Sequence, residues 1–353
     1  MQSQLTELGL IASLLRLDAS WEQCSFEIPG SCIVQCLDEG CIEITAMQNS
    51  KQRALVYSAG VHGNETAPIE LLDQLLSLVL RGELIPHQNL LLLIGNPEAM
   101  RLGCRELGTN LNRLFCGAHK RLDVDGEHVR AQILERHVAD FYTSNTGSVE
   151  RIHLDLHTAI RDSKFAKFVV YPFTHGEALD ANSLAWLQAC ELDCVLFSNT
   201  PTTTFSYHSA RTHGARAFTI ELGKVNDFGE NDLTSMSAMF EQLKYLLSAE
   251  TSQQHSLVLE RCHWFEVSET LVKAQAQFEL CFSVDLANFT QFENGDVIAL
   301  QADEPVIISD GPKAVIFPNA NVAVGQRAAL LVKKMDSEKI RLIAGDQLKL
   351  GKF

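Results

Sequence analysis

A short glycine-bearing stretch carries residues whose types and spacing could hold a metal ion. It spans residues 58–68 (SAGVHGNETAP), follows a short apolar run and leads into a helical pattern. Gly60 and Gly63 permit a tight turn, because glycine accepts positive φ without steric cost. His62 and Glu65 can then face one site together. Imidazole nitrogen and carboxylate oxygen are ligands that zinc takes in catalytic sites, where one position stays open for water.

A third ligand must come from another part of the chain. The pair alone also fits a polar turn that caps a helix, because this spacing occurs by chance in many chains. Its position after a buried strand favours a ligand site, since α/β sheets bind ligands at the carboxyl ends of strands. A second apolar strand, 152–159 (IHLDLHTA), leads to His157, which we predict as the third ligand. We interpret His153 as a satisfied core or edge histidine, and Asp155 as a carboxylate that could orient His157.

An irregular segment, residues 101–115 (RLGCRELGTNLNRLF), carries three arginines without helical or strand periodicity. Most charged loops of this kind are solvated surface. Apolar residues on both sides of Asn112 and Arg113 would instead anchor the loop and turn this pair toward a pocket. Because the guanidinium fork binds carboxylates in a bidentate way, the alternative is a site for an acidic substrate.

A carboxylate also ends the apolar strand predicted at residues 215–224 (ARAFTIELGK). Burying an ionised Glu221 there is costly without a partner. A salt bridge to Lys224 or Arg216 would meet that cost. We favour the other interpretation, in which Glu221 is a partly desolvated general base beside a metal.

The surrounding pattern predicts an α/β fold. Apolar residues recur at helical spacing in 5–17, 68–80 and 127–143, whereas 89–94 is a near-continuous apolar strand. A strand buried on both faces belongs to a parallel or mixed sheet that helices cover. Residues 24–46 predict a hairpin or a pair of edge strands.

The character of the chain changes near residue 250. Short β-like runs separated by Gly, Asn, Asp and Pro predict a small C-terminal all-β domain. We therefore predict a catalytic domain at residues 1–250 and a β domain at 251–353, with a linker at 251–254.

Composition excludes several classes of function. The chain has 353 residues, 46% of them hydrophobic, which suits a soluble protein of two domains. A net charge of −15 argues against binding to nucleic acid or anionic membranes, but permits an anionic substrate where cations are concentrated in one pocket.

Ten scattered cysteines without a CxxC pair favour buried free thiols in a reducing cytoplasm. The first helical segment carries Glu7 and Arg16, so it matches neither a signal peptide nor a membrane span. We therefore expect a cytoplasmic protein, and a homo-oligomer is left open.

The order of these residues resembles the zinc carboxypeptidase superfamily, with HxxE, an arginine, Asn-Arg, a distant His and a Glu. Three motifs, GVHGNE at 60–65, NRLF at 112–115 and DLHTA at 155–159, resemble the succinylglutamate desuccinylase and aspartoacylase family. The segment 317–328 (FPNANVAVGQRA) is similar to its bacterial desuccinylase branch. The resemblance is looser over residues 1–50.

The resemblance implies a zinc carboxypeptidase-like fold, whose mixed, mainly parallel central sheet has helices on both faces. It also implies hydrolysis of N2-succinyl-L-glutamate to succinate and L-glutamate, the last step of the arginine succinyltransferase pathway of arginine catabolism. The roles it implies are one zinc ion on His62, Glu65 and His157, Glu221 as general base and acid, Arg105 on the scissile carbonyl, and Asn112 and Arg113 on a substrate carboxylate.

The substrate carries three carboxylates, so further cations are needed. Arg161 is the candidate that we add to the substrate site, and Lys164, Arg211 and Lys224 are other cations to consider. Each of them also fits a solvated surface role.

Two alternatives stay open. One is another N-acyl amino acid deacylase, such as an aspartoacylase, or a carboxypeptidase. The second is a metal-binding homologue without catalysis, which the presence of Glu221 argues against.

Overall fold

The computed structural model describes residues 1–16, 21–120, 125–177, 179–192, 194–251, 253, 255–336, 340–343 and 347–350. Within these ranges the helices are α1 (Gln2–Leu15), α2 (Thr66–Leu80), α3 (Pro97–Arg101), α4 (Gly126–Ser144), α5 (Ala181–Ala189), α6 (Phe205–His213) and α7 (Ser237–Ser248). The strands of the first 250 residues are β1 (Cys24–Ile28), β2 (Cys32–Asp38), β3 (Cys41–Ala46), β4 (Arg53–Ala59), β5 (Asn89–Ile94), β6 (Glu150–Ala159), β7 (Lys167–Tyr171), β8 (Leu179–Asp180), β9 (Cys194–Phe197) and β10 (Arg216–Lys224). Those that follow are β11 (His263–Val272), β12 (Phe278–Leu280), β13 (Thr290–Phe292), β14 (Val297–Gln301), β15 (Glu304–Ile307), β16 (Lys313–Ile316), β17 (Arg327–Lys334), β18 (Ile340–Ile343) and β19 (Gln347–Leu350).

One large sheet organises the molecule. Its strand order is β1-β2-β3-β5-β4-β6-β10-β7-β9-β11-β17-β16-β13. Between β5 and β11 all neighbours are parallel except β10 and β7, which are antiparallel. Antiparallel strands extend this central part on both sides. The prediction of a mixed, mainly parallel central sheet is confirmed.

The central strands are buried on both faces. Along β4, Leu55 and Tyr57 pack into one core cluster together with apolar residues of α2, α5 and α7. The alternate residues Ala54 and Val56 pack into a second cluster with α4 and Phe205 of α6. Because successive strand residues point to opposite faces, helices cover both sides of the sheet, as predicted.

Residues 24–46 form a meander of three strands rather than a hairpin or a pair. Gly30 and Gly40 each adopt positive φ, at 71° and 68°. Two turns therefore divide the segment, and the third strand, β3, pairs with β5. This adds three antiparallel strands to one side of the sheet.

The C-terminal region is rich in β-strands, as predicted. Strands β12, β14 and β15 form a separate sheet, but β11 pairs in parallel with β9 and carries β17, β16 and β13 into the large sheet. Residues 252 and 254 of the predicted linker lie outside the described residues. The boundary between residues 250 and 251 stays a prediction.

The connection from β6 to β7 passes over the end of β10. Strand β10 lies between them, parallel to β6 and antiparallel to β7, so β6 ends and β7 begins at the carboxyl end of β10. We name residues 160–166 the bridge segment. Asn288, from the C-terminal region, holds its middle by donating its backbone N–H to Asp162 O at 2.8 Å and accepting from Lys164 N at 3.1 Å.

Two further features bear on the sequence predictions. The ten cysteines, all within the described residues, are unpaired, and six of them are buried. No helix in the described part of the chain combines the length and apolar character needed to cross a membrane.

Candidate metal centre and active site

The turn between β4 and α2 presents His62 and Glu65. Gly60 adopts a φ of 64°, which favours glycine. Gly63 is needed for close approach, because a Cβ there would stand 2.2 Å from the backbone nitrogen of Met100. Its own N–H donates to Arg105 O at 3.0 Å, so the turn is bonded directly to the arginine-bearing loop.

The structure brings the three predicted ligands together. Glu65 Oε1 lies 2.8 Å from His62 Nδ1, and Glu65 Oε2 lies 2.8 Å from His157 Nδ1. One ligand atom from each residue lies within 4.8 Å of the others. All three side chains are buried. Two imidazole nitrogens and a carboxylate oxygen at this spacing suit zinc, and the donor set fits a single ion.

Charge around these residues favours a cation. Burial alone would raise the pKa of Glu65, but the imidazoles of His62 and His157 hold it well below its ordinary value. Burial alone would lower the pKa of His157, yet the carboxylates of Asp155 and Glu65 hold it well above its ordinary value. Burial and the nearby Arg105 lower the pKa of His62 to about 4, so this imidazole is neutral and its lone pair is available to a metal.

Each imidazole has a partner on its other ring nitrogen. His157 Nε2 lies 3.0 Å from Asp155 Oδ2, which is the contact that the strand alternation predicts. His62 Nε2 lies 3.2 Å from Asn110 Oδ1. His157 can donate from Nε2–H to Asp155, whereas His62 Nε2 faces both Asn110 Oδ1 and the guanidinium of Arg105, which only donates. In both residues Nδ1 is the ring nitrogen that faces Glu65. Such partners fix the tautomer and orientation of metal-binding histidines.

Glu221 stands beside this group. It pairs with His157 across the parallel strands β10 and β6, so the two side chains share one face of the sheet. Its Oε2 atom is buried without a hydrogen-bond partner among the described residues. Burial raises the pKa of Glu221 to about 7. The nearby Glu65 also raises this pKa, whereas His157 and Arg105 lower it. A carboxylate that exchanges its proton near neutral pH suits acid–base chemistry.

Arg105 lies against the ligand pair. Its Nη1 donates to Glu65 Oε1 at 2.7 Å, and its Nη2 lies 3.0 Å from His62 Nε2. The side chain is about one third exposed, at 31%. The guanidinium therefore meets both the candidate metal centre and the open side of the site.

Asn112 and Arg113 lie on a short 3-10 turn of the same loop. Asn112 Oδ1 accepts from Phe205 N at 2.9 Å, so its amide N–H groups remain for a ligand. Arg113 donates to its neighbour's backbone oxygen at 2.9 Å. Burial, with Arg105 nearby, lowers the pKa of Arg113 to about 10. In the described chain no carboxylate lies within ion-pair distance of Arg113, which leaves its charge for a substrate.

The loop itself is held by a buried carboxylate that the sequence did not single out. Glu127, in the first turn of α4, accepts hydrogen bonds from the backbone N–H groups of Leu107, Gly108 and Thr109 at 2.7 to 2.9 Å. It also accepts from Asn96 Nδ2 at 3.0 Å. Glu127 is thus a positioning residue for the loop. Its only sequence signal is a glutamate at a helix start, which is common in proteins.

The further cations differ in their surroundings. Arg161 lies on the bridge segment, and its Nη1 is buried without a hydrogen-bond partner among the described residues. Lys224 is engaged with Asp162 at 3.0 Å. Lys164 and Arg211 are exposed.

Arg327 is a cation near the site that the sequence prediction missed. It is the first residue of β17, and its Cζ lies 5.9 Å from the ring of Phe317. That ring lies 5.8 Å from the ring of Phe168, the antiparallel partner of Glu221. Burial, together with Arg113 and Arg105, lowers the pKa of Arg327 well below its ordinary value. Its motif, 317–328, was recognised, but nothing in the sequence shows that this strand reaches the site.

Comparisons with known proteins identify relatives of this chain. Residues 51–247 match the model of the succinylglutamate desuccinylase/aspartoacylase catalytic domain, and residues 260–335 match that of the AstE/AspA barrel-sandwich hybrid domain. The chain is 41% identical over 335 residues to a succinylglutamate desuccinylase of Pseudoalteromonas atlantica, covering 94% of this chain and 95% of that one. It is 40% identical over 321 residues to that of Shewanella piezotolerans, covering 90% and 93%.

Solved structures extend the comparison to the whole fold. The succinylglutamate desuccinylase structure from Vibrio parahaemolyticus has a TM-score of 0.87 at 31% identity, and covers 98% of this chain and 99% of that one. The structure from Chromobacterium violaceum has a TM-score of 0.80 at 35% identity, with 93% and 98% covered.

Proposed function

The chain belongs to the succinylglutamate desuccinylase/aspartoacylase family, and from this premise we propose that it hydrolyses N2-succinyl-L-glutamate to succinate and L-glutamate. The reaction would serve the arginine succinyltransferase pathway of arginine catabolism. Water adds to the succinyl amide carbon, the C–N bond breaks, and the amine leaves with the proton that it needs.

His62, Glu65 and His157 would hold one zinc ion per chain. A bound zinc ion supplies a Lewis acid that lowers the pKa of water toward neutrality and polarises a carbonyl. The proposal is supported by three buried ligand atoms within 4.8 Å of one another.

Glu221 would act as general base and then as general acid. Its carboxylate takes a proton from the attacking water and returns it to the departing glutamate nitrogen. The pKa of about 7 supports both steps, because the group can accept and release a proton near neutral pH. Its Oε2, which has no hydrogen-bond partner among the described residues, leaves one oxygen available for this transfer.

Arg105 would stabilise the negative charge that develops on the amide oxygen. Its guanidinium already donates to Glu65, and about one third of the side chain is exposed toward the open side of the site. A donor aimed at a developing oxyanion contributes about 3 kcal/mol to the barrier in related acyl chemistry.

The surrounding cations would bind the three carboxylates of the substrate. Asn112 and Arg113 on the loop, Arg161 on the bridge segment and Arg327 on β17 are candidates. In the part of the chain that the structure describes, none of these three arginines forms an ion pair with a carboxylate of the protein. In a chain with a net charge of −15, such a group of unpaired guanidinium ions supports an acidic substrate. This is the observation that favours succinylglutamate over a substrate with fewer carboxylates.

The activity can be tested with the purified full-length chain. Zinc content is measured by elemental analysis, and release of succinate from N2-succinyl-L-glutamate is followed. N-acetyl-L-aspartate, N-acetyl-L-glutamate and a peptide with a free C-terminus test the alternative deacylase and carboxypeptidase activities. We expect the highest kcat/KM with succinylglutamate. Faster hydrolysis of another compound would replace it as the substrate.

Glu221→Gln separates catalysis from metal binding. We expect zinc content to be retained and kcat to fall by roughly 100-fold to 10,000-fold, the usual contribution of a general acid–base group. Exposed Glu230→Gln serves as the control and should leave kcat unchanged. Full turnover by the Glu221 variant would contradict the mechanism.

A further inference from the structure

A chain of hydrogen bonds leads from the candidate metal centre into the core. Ser58 Oγ lies 2.6 Å from Asp155 Oδ1 and 2.8 Å from His153 Nε2. His153 Nδ1 in turn lies 2.7 Å from Ser209 Oγ. These four residues come from β4, β6 and α6, and each is 0% exposed.

The chemistry of Asp155 sets the direction of this chain. An ionised carboxylate only accepts, so the hydroxyl of Ser58 donates to Asp155. The oxygen of Ser58 then accepts from Nε2–H of His153. A neutral imidazole with its proton on Nε2 accepts on Nδ1, so Ser209 donates to His153. Burial lowers the pKa of His153 to about 4, which supports the neutral form.

This direction has a consequence for His157. Ser58 occupies Oδ1 of Asp155, and Oδ2 of the same carboxylate accepts from His157 Nε2 at 3.0 Å. Because Asp155 holds the Nε2 proton of His157, Nδ1, which faces Glu65, is the nitrogen that would release its proton to a metal ion. A rotation of Asp155 would break bonds to both neighbours at once.

We propose that Ser58, His153 and Ser209 form a hydrogen-bonded relay of one fixed direction that positions Asp155 and, through it, His157 for metal binding. The inference rests on the proposed metal centre and deepens it. His153 is then a positioning residue rather than a core histidine that merely satisfies its own hydrogen bonds.

A nearby hydroxyl pair provides a matched contrast. Ser206, three residues before Ser209 on α6, is buried and lies 2.7 Å from Thr219 Oγ1. This pair has no hydrogen bond to Asp155 or His153 among the described residues. Removing the Ser206 hydroxyl therefore tests the cost of losing a buried hydrogen bond outside the relay.

The test measures zinc affinity by competition with a fluorescent chelator on the full-length chain. We expect Ser58→Ala and His153→Phe to weaken zinc binding by about 10-fold to 100-fold, the usual effect of losing an orienting partner of a metal ligand. His153→Gln should recover most of the affinity, because its amide N–H can replace the Nε2–H donor. Ser206→Ala should bind zinc as the unaltered chain does.

A second measurement keeps folding separate from positioning. Thermal unfolding without metal is recorded for each variant, and the absorption spectrum of the Co²⁺ form reports ligand geometry. If Ser58→Ala does not fold, His153→Phe and Ser209→Ala test the relay from its far end, with a weaker loss expected for Ser209→Ala. Folded relay variants with unchanged zinc affinity and Co²⁺ spectra would overturn the proposal. Equal losses in the relay variants and Ser206→Ala would also overturn it, because they would indicate a general packing effect. Absence of zinc binding by the unaltered chain would instead reject the metal centre itself.

Discussion

Glu221 combines two properties that lower stability and favour chemistry. Its Oε2 atom is buried without a partner among the described residues, and burial raises its pKa to about 7. An ionised carboxylate in this position is costly to the folded state. Groups with such shifted pKa values concentrate at functional sites.

This shift predicts how stability depends on pH in the metal-free chain. The ordinary pKa of glutamate is 4.5, so between pH 4.5 and about 7 the folded state keeps a proton that the unfolded state has lost. The contribution of Glu221 to stability is therefore full below pH 4.5 and is lost as the pH rises through about 7.

Glu221→Gln removes this dependence, because glutamine does not ionise. We expect the variant to gain stability relative to the unaltered chain between pH 5 and pH 8, by roughly 2 kcal/mol. Urea unfolding of chelator-treated protein at both pH values measures the change. Exposed Glu230→Gln is the control. A difference between variant and parent that is the same at both pH values would show that Glu221 does not ionise in this range.

At the residue scale, the ligands carried local signals that Asn110 and Arg327 lacked. His62 and Glu65 follow a glycine turn, and His157 ends an apolar strand. Asn110 and Arg327 have no such context, because their contribution depends on which loop and strand lie beside the site. That information belongs to the tertiary structure.

At the element scale, the start of α4 controls the arginine-bearing loop. Glu127 is 2% exposed and accepts from three consecutive backbone N–H groups of that loop. Helix starts favour negative charge, which stabilises the carboxylate in this place. One side chain therefore holds residues 107–109 of the loop, which have little regular structure of their own.

Replacing Glu127 with alanine should disorder the loop. Three backbone donors would lose their acceptor, and each unsatisfied donor costs about 1 to 3 kcal/mol unless water reaches it. We expect Glu127→Ala to lower the free energy of unfolding by at least about 2 kcal/mol and to raise KM for succinylglutamate. Glu98→Ala, at the exposed start of α3, is the control. An unchanged KM would show that Glu127 does not position the substrate site.

At Gly63, the turn before α2 depends on glycine for space rather than for its φ angle. An alanine Cβ at Gly63 would stand 2.2 Å from Met100 N and 2.3 Å from Ala99 C. We expect Gly63→Ala to reduce both thermal stability and zinc affinity, because the turn also carries His62 and Glu65. Zinc titration and thermal unfolding measure the two effects.

Gly126→Ala provides the matched control for this substitution. Gly126 begins α4, and a Cβ there meets nothing within 4 Å. Alanine is a better helix former than glycine, so this variant should be as stable as the parent or more stable. Normal zinc binding by Gly63→Ala would contradict the role given to close packing at the turn.

The elements themselves were largely predictable, but their neighbours were not. Periodicity identified α2, α4 and β5, since these segments have one dominant pattern over many residues. Strand β9 has only four residues, and its pairing with β11 joins positions about 70 residues apart in the chain. Local patterns carry no signal for such a pairing.

At the scale of the whole molecule, the β-rich C-terminal region is continuous with the catalytic sheet. Phe168 and Leu196 share a core cluster with Phe265, Phe289 and Ile316 from the C-terminal region. The sequence pattern changes near residue 250, but this packing keeps the strands on both sides of that position in one sheet.

A chain that ends after residue 250 should therefore not form a stable soluble protein. It would expose the edge of β9 and the apolar side chains of the shared cluster, and exposed edges of this kind promote aggregation. Soluble yield and thermal unfolding measure the outcome. A two-glycine insertion after residue 275, in an exposed loop, is the control and should be tolerated. A stable truncated chain that binds zinc normally would show that residues 1–250 fold independently.

The bridge segment over β10 is joined to β6 and β7 at its ends and bonded to Asn288 in its middle. Active-site lids move about hinges to admit ligands, whereas a segment held at three places cannot move in this way. For the proposed reaction, succinate and glutamate would then leave through an active-site opening of constant width. The rate of product release would then be limited by diffusion and not by the opening of a lid.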